Sequence, residues 1–347
     1  MVNTREKDLS VETLRGVAIL MVVTGHVIGD GPQYAMRVSN DSFLRHFYYF
    51  FVFLRIPLFT VISGWVYALL PATIVNLKSF ALKKARRLLL PLLFVGGAYY
   101  LVQYVVPGTT NKNDLSGIWR LFVFPFTLYW YLPSLFFVFI IVSLLDANRK
   151  MQSIRYWLLY LFFTVALLVA KTYLVEDDDP NYLSYKGVIY LLPFFLVGVG
   201  VQRFARLFSN TYLLIALSSC LVVGLIIQQL AWYDVIQYSL NKGTGIGLLI
   251  GLTGTVLLLK LRWKVKWLIW LGSFAYSIYL FHAFGTAGAR IWLKSYGVQS
   301  TAIIFFASLL TGILLPIVAE KFLDRFRLTR LLFLGRGFAA NSKDEQV

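Results

Sequence analysis

The sequence predicts an all-α polytopic membrane protein with about ten transmembrane helices and both termini cytoplasmic. Three observations carry that prediction. First, 59% of the 347 residues are apolar, 14% are charged, and the mean hydropathy is +0.70, beyond what an ordinary soluble domain tolerates. Second, hydropathy and punctuation divide the chain into ten apolar runs, near 13–29, 47–70, 88–106, 118–145, 157–175, 187–201, 212–231, 245–259, 267–284 and 302–322. Most reach the ~17–25 residues that a bilayer requires. Third, alternating the loops between two sides places 23 Lys and Arg on the side of the N-terminus and nine on the other, with Arg55 left inside a run. That asymmetry is the positive-inside pattern and sets the orientation.

The first run is preceded by the polar segment Met1 to Leu9 and lacks a small-residue cleavage pattern, so it reads as a retained helix. Ser10 is its expected N-cap, with Glu12 in the first turn, where the helix dipole favours negative charge. Residues 1–335 read as one transmembrane domain and 336–347 as a short cytoplasmic tail. The stretch Glu320 to Phe338 alternates basic and apolar residues and is expected on the inner membrane surface. The net charge of +17 falls in short blocks between apolar runs, which is topology rather than nucleic-acid binding. One cysteine, Cys220, excludes an intrachain disulfide and a cysteine metal cluster, and no metal site is expected.

Chemistry is expected first on the helix LRGVAILMVVTGH. His26 follows Arg15 by eleven residues. Eleven helical steps return the two side chains to within ~20° of each other, about 16 Å apart along the axis. Ionisable groups within a bilayer cost roughly 2.5–3.5 kcal/mol each on insertion scales, so such a pair faces protein or a wet cavity. In the predicted topology Arg15 stands at the cytoplasmic mouth and His26 in the outer half, with Asp30 one turn further on, in reach of the ring. A histidine suits proton abstraction from a hydroxyl. His282, in SFAYSIYLFH, falls in the same outer half, as does His46, for which a hydrogen-bonded packing role suffices.

The block KKARRLLLP, Lys83 to Pro91, offers two readings: inside-positive anchoring, or a seat for a phosphate-rich ligand at the inner mouth. Arg55, in LRIPLFTVISGW, is either buried in protein or snorkels to the outer interface, and the Ser63–Gly64 pair suits close helix packing. Trp130 and Tyr131, beside Pro133, fit an interfacial belt or a stacking platform for a sugar ring.

Taken in order, LRGVAILMVVTGH, FTVISGW, KKARRLLLP, WYLPSL, YLLPFFLVGVG and LGSFAYSIYLFH resemble the integral-membrane acyltransferase family 3, whose members O-acylate polysaccharides. The resemblance implies a plasma (inner) membrane enzyme that takes an acyl group, most often acetyl, from cytoplasmic acyl-coenzyme A and passes it to a carbohydrate hydroxyl. It implies His26 as the catalytic histidine and Arg15, Lys84, Arg86 and Arg87 as coenzyme-binding residues; Asp30, from its place one turn beyond His26, is a candidate catalytic partner that orients the ring. Arg55, Trp130, Tyr131, Tyr276, Tyr279 and His282 are then the acceptor-side candidates. Exopolysaccharide, O-antigen, peptidoglycan and a lipid-linked sugar all suit the acceptor role. Two positions depart from the family pattern: Glu12 stands where aspartate is more usual, and Lys84 where arginine is. The rival reading is a transporter or flippase for an anionic or sugar-lipid substrate, since Arg15, Arg55 and His26 would also suit a substrate pathway.

Overall fold

The computed structural model describes residues 8–109, 114–176, 178–238 and 243–337. Those residues form fifteen α-helices joined by turns and short single-turn helices. Most of the expected tail, 338–347, lies outside them, as does Asp177 of the acidic outer run.

Helix α1, Leu9–Ile28, runs through the centre of the bundle, and most of its side chains are buried. Its N-cap is Asp8 rather than Ser10: the Asp8 carboxylate accepts from the Ser10 backbone N–H (3.0 Å) and hydroxyl (2.6 Å). The charged carboxylate reaches the first-turn donors from outside the helix, which leaves Ser10 inside it. Partial burial alone would raise the Asp8 pKa, but the Ser10 hydrogen bonds and the Arg262 guanidinium hold it below the ordinary carboxylate value.

Three of the expected spans are broken helices. The second divides into α2, Phe43–Phe51, and α3, Arg55–Leu69. The fourth divides into the short α6, Arg120–Val123, and α7, Tyr131–Asp146. The ninth divides into α12, Lys266–Ser273, and α13, Ala275–Ser295. Pro57 and Pro133 fall in the first turns of α3 and α7, where a missing N–H costs no intrahelical bond, so the chain restarts its helix there without loss. Trp130 and Tyr131, expected well inside a span, therefore sit where a helix begins.

The third expected span is longer than its apolar run. Helix α4, Leu77–Pro91, continues through a wide turn at Leu92–Gly96 into α5, Gly97–Val105, so the basic block lies on a helix and not in a loop before one. The remaining long helices are α8, Ile154–Leu174; α9, Tyr185–Arg203; α10, Thr211–Trp232; α11, Gly245–Leu261; and α14, Thr301–Leu323. A surface helix, α15, Arg327–Leu334, closes the described chain.

Among the described residues, eight helical runs are long and apolar enough to cross a membrane. The pair α11 and α12, bent by 118°, brings the count to nine. The ten-run sequence count is larger because α13, which carries His282, Arg290 and Lys294 among its 21 residues, is too polar to meet the same standard. Its polar residues have a use within the bundle, described below.

Close approaches fix the packing around α1. Gly64 of α3 lies against the Phe195 carbonyl of α9, and Gly198 of α9 against the Val61 carbonyl of α3, so a β-carbon at either would overlap backbone. The Ser63–Gly64 pair thus serves the tight helix contact that its composition predicts. Gly16 and Gly272 let α12 lie as closely across the start of α1.

Candidate functional site: two polar pockets joined by one helix

Two cavities open among the helices, one near each end of α1. The first, about 570 Å³, is lined by Lys83, Lys84, Arg86 and Arg87 of α4, Arg149, Arg203 of α9, Arg336, and the single carboxylate Asp146. The basic block supplies four of its seven cations. Arg149, Arg203 and Arg336 come from three distant parts of the chain, and their common side in the loop alternation was the one available signal that they would meet. Asp146 is 2% exposed and binds Arg203 through both oxygens, at 2.8 and 2.5 Å, while accepting from the Tyr67 hydroxyl at 3.1 Å.

The cations of this pocket are held in different ways. Lys84 is buried, with its ammonium 4.1 Å from the Phe139 ring centroid and 5.2 Å from that of Phe80. Arg87 donates to the Leu334 carbonyl at 2.8 Å and stacks 3.9 Å over the Tyr276 ring. Arg336, the first residue of the expected tail, is anchored by Glu320 and Asp324. Arg15 does not line the pocket. It pairs with Glu12 at 2.7 Å and lies within Coulombic range of Lys84.

The second cavity, about 530 Å³, surrounds the other end of α1. His26 faces it, with Asp30, Arg55, Trp130, Thr127, Tyr99 and Arg290 in the same lining. The His26 ring stands 5.0 Å from that of His282, centroid to centroid, tilted by 45°. His282 is fully buried, and its Nδ1 lies 2.9 Å from both the Ile278 and Tyr279 carbonyls. A carbonyl can only accept, so the neutral ring carries its hydrogen on Nδ1 and leaves a lone pair on Nε2. Among the described residues that Nε2 has no hydrogen-bond partner.

Arg55 is the first residue of α3, and its guanidinium lies against Gly25, the neighbour of His26, and 4.1 Å over the Tyr48 ring. Of the two sequence readings, burial in protein is the one realised, at 9% exposure. A β-carbon at Gly25 would overlap Arg55 Nη1. Gly25→Ala is therefore expected to eject the guanidinium and to lower turnover by ~10²-fold or more, the usual effect of losing one charge-stabilising donor. Coenzyme binding should be unchanged, and steady-state kinetics on the purified variant check both statements.

Several sequence expectations shift. The Tyr276 hydroxyl donates to the carbonyl of Arg87, a residue that lines the basic pocket, and Tyr276 lies six residues before His282 on α13. Asp30 lines the cavity, but α1 ends at Ile28 and turns through Gly29 at φ +85°, so Asp30 leaves the His26 stripe. It makes no hydrogen bond or ion pair among the described residues, and His282 is the ring found beside His26. His46 takes the packing role expected of it, 2.7 Å from Gln229 Oε1 and stacked on Trp232.

Tyr131 and Tyr279 are buried between the pockets, their rings 5.7 Å apart. Tyr279 donates to the Leu128 carbonyl at 2.7 Å, and Tyr129 to the Leu280 carbonyl at 2.8 Å. The two linings share no residue. Tyr276, Tyr279 and His282, spaced by three along α13, nevertheless cover about 9 Å of helix between Arg87, which lines the first pocket, and His26, which lines the second. Sequence reasoning missed Arg290 and Thr127. Arg290 looked like an ordinary loop cation, and the Thr127 backbone, at φ +41°, is rare for a β-branched residue and has no sequence signature.

The bundle thus carries a guanidinium-rich pocket and, apart from it, a second cavity lined by His26, whose ring packs against the buried His282. Residues 8–321 match the family profile described as an acyltransferase domain, and the chain belongs to that family, acyltransferase family 3. Nodulation protein NolL of Mesorhizobium japonicum is 25% identical over 205 residues, a match covering 58% of this chain and 51% of NolL. The chain thus spans about half the length of that relative. No solved structure matches.

Proposed function

We propose that the protein transfers an acyl group, acetyl foremost, from cytoplasmic acyl-coenzyme A to a carbohydrate hydroxyl on the far side of the membrane. One observation carries the reading: α1 holds Arg15, within Coulombic range of Lys84 in a phosphate-suited pocket, and His26, which lines a second cavity. Family membership favours this chemistry over the transporter alternative, and the 23-to-nine distribution of basic residues favours both termini and the basic pocket on the cytoplasmic side of the inner membrane. In that orientation α13 supplies the tenth span.

The coenzyme phosphates dock among Arg86, Arg87 and Lys84, with Arg15 and the tertiary additions Arg149 and Arg203 contributing to the field. The thioester arm follows the Tyr276 to His282 stripe, which requires Tyr131 and Tyr279 to part. At His26 the acceptor hydroxyl attacks the thioester carbonyl. The new C–O bond forms as the C–S bond breaks, and the hydroxyl proton passes through His26 to the departing thiolate. In the two-step variant His26 is first acylated and then relieved by the hydroxyl, with the same balance. Arg55 lies where a donor to the carbonyl oxyanion is needed. His282, whose ring packs 5.0 Å from that of His26, holds the His26 ring in place, a role for which Asp30 was also a candidate.

The test supplies purified full-length protein in detergent with radiolabelled acetyl-coenzyme A and oligosaccharides of the candidate classes. Labelled ester on a glycan is the expected product, and its absence with every acceptor would overturn the reading. Separately, Arg86→Ala and Arg87→Ala should each weaken coenzyme A binding by ~10- to 100-fold, the value of one charge-assisted contact. Unaltered affinity in isothermal titration would remove these two residues from the docking site.

A further inference from the structure

The histidine cavity carries more positive charge than acyl transfer to a neutral sugar would use. Arg290, from the last third of α13, lines it together with Arg55. Arg37 and Lys294 stand close enough to Arg290 for their charges to interact. Lys294 lies in the last turn of α13, where the helix dipole accounts for a cation. Arg290 lies more than a turn further in, half-buried, and no carboxylate pairs with it among the described residues. Asp30, the cavity's acid, forms no ion pair with either guanidinium. Two lining guanidiniums with two further cations in range, against the one lining carboxylate of Asp30, leave an excess of positive charge that raises the energy of the empty site, and an anionic ligand relieves it.

Resting on the acyl-transfer reading, we infer that the acceptor is an acidic glycan whose oxyanion is bound by Arg290, with Arg37 and Lys294 steering it to the mouth. The oxyanion belongs to the acceptor itself, as the carboxylate of an acidic sugar unit or the phosphate of a lipid carrier holding the sugar. Both present the paired oxygens that a guanidinium fork holds bidentately. Trp130, in the same lining, offers a face for the sugar ring while Arg290 fixes its charged end, which leaves a hydroxyl directed at His26.

Binding, not turnover, provides the test. Fluorescence anisotropy on purified full-length protein in an uncharged detergent would compare three labelled probes: a glucuronate-containing tetrasaccharide, its uncharged glucose counterpart, and a polyprenyl-diphosphate-linked glucose. The protein is expected to bind at least one charged probe ~10-fold or more tighter than the neutral one, with a preference that shrinks as salt rises. Arg290→Gln should abolish that preference, Arg290→Lys should keep part of it, and coenzyme A affinity should be unchanged in both. Tighter binding of the glucuronate probe identifies the sugar carboxylate as the source, and tighter binding of the diphosphate probe identifies the carrier; either supports the inference. Equal affinity for charged and neutral probes, no binding of either charged probe, or a preference intact in Arg290→Gln overturns it. Should Arg290→Gln fail to fold, the salt dependence of the wild-type preference and the Arg290→Lys variant decide. A charge preference without acyl transfer would defeat the functional reading alone. Efficient transfer to neutral sugars, indifferent to Arg290, would defeat this inference alone.

Discussion

His26→Ala should lower kcat for acetyl transfer by ~10²- to 10⁴-fold, the range that one positioned proton-transfer group contributes. The affinity for coenzyme A should not change, because the basic pocket lies at the other end of α1 and shares no lining residue with the His26 cavity. Stability should change little, since His26 faces the cavity and fills no core position. The informative measurement is single-turnover transfer with labelled acetyl-coenzyme A beside an independent binding isotherm. A variant that binds normally and turns over at the wild-type rate would exclude His26 from the chemistry. The same experiment separates the two routes: a labelled histidine adduct that accumulates without acceptor belongs only to the acyl-histidine path. His282→Ala should fall between wild type and His26→Ala, because it removes the neighbour and not the reacting ring. A shifted pH profile of kcat in that variant would mark the positioning role.

Asp146→Ala is the second large effect, and it concerns stability. The carboxylate is 2% exposed and serves two guanidinium nitrogens of Arg203 and the Tyr67 hydroxyl. Removing one member of a buried pair leaves an uncompensated charge and costs about 3–5 kcal/mol. A lowered thermal midpoint in detergent, with loss of the native elution profile, is the expected result. Replacing both partners by leucine should cost less than the single change, because no charge is then stranded. Equal losses for the single and double variants would show that the pair does not act as a unit.

The parts of the site legible in the sequence are local. Arg15 and His26 share one helix, so their common stripe follows from the 100° step alone. The four cations of Lys83 to Arg87 are contiguous, so their joint position needed only a helix to carry them. The illegible parts are contacts between segments far apart in the chain. Arg55 was readable as an intramembrane charge, but its seat against Gly25 depends on how α3 crosses α1. Tyr276 and Tyr279 look alike in YSIYLFH, yet one hydroxyl bonds the Arg87 carbonyl and the other the Leu128 carbonyl, so a single helical turn assigns them to different neighbours. Asp30 shares the His26 cavity but stands off the helical stripe, because the helix stops at Ile28 and periodicity continues a stripe that the backbone does not.

The sequence by itself determined a hydrophobic helical bundle, the axis from Arg15 to His26, the basic block and the family, because hydropathy, helical period and motif order are properties of short segments. Only the tertiary structure decided that His282 would face His26, that Arg149, Arg203 and Arg336 would join the basic block, and that Arg290 would line the histidine cavity. Those placements depend on breaks in three helices and on glycines that admit backbone contact, and such geometry exists only once the helices are packed.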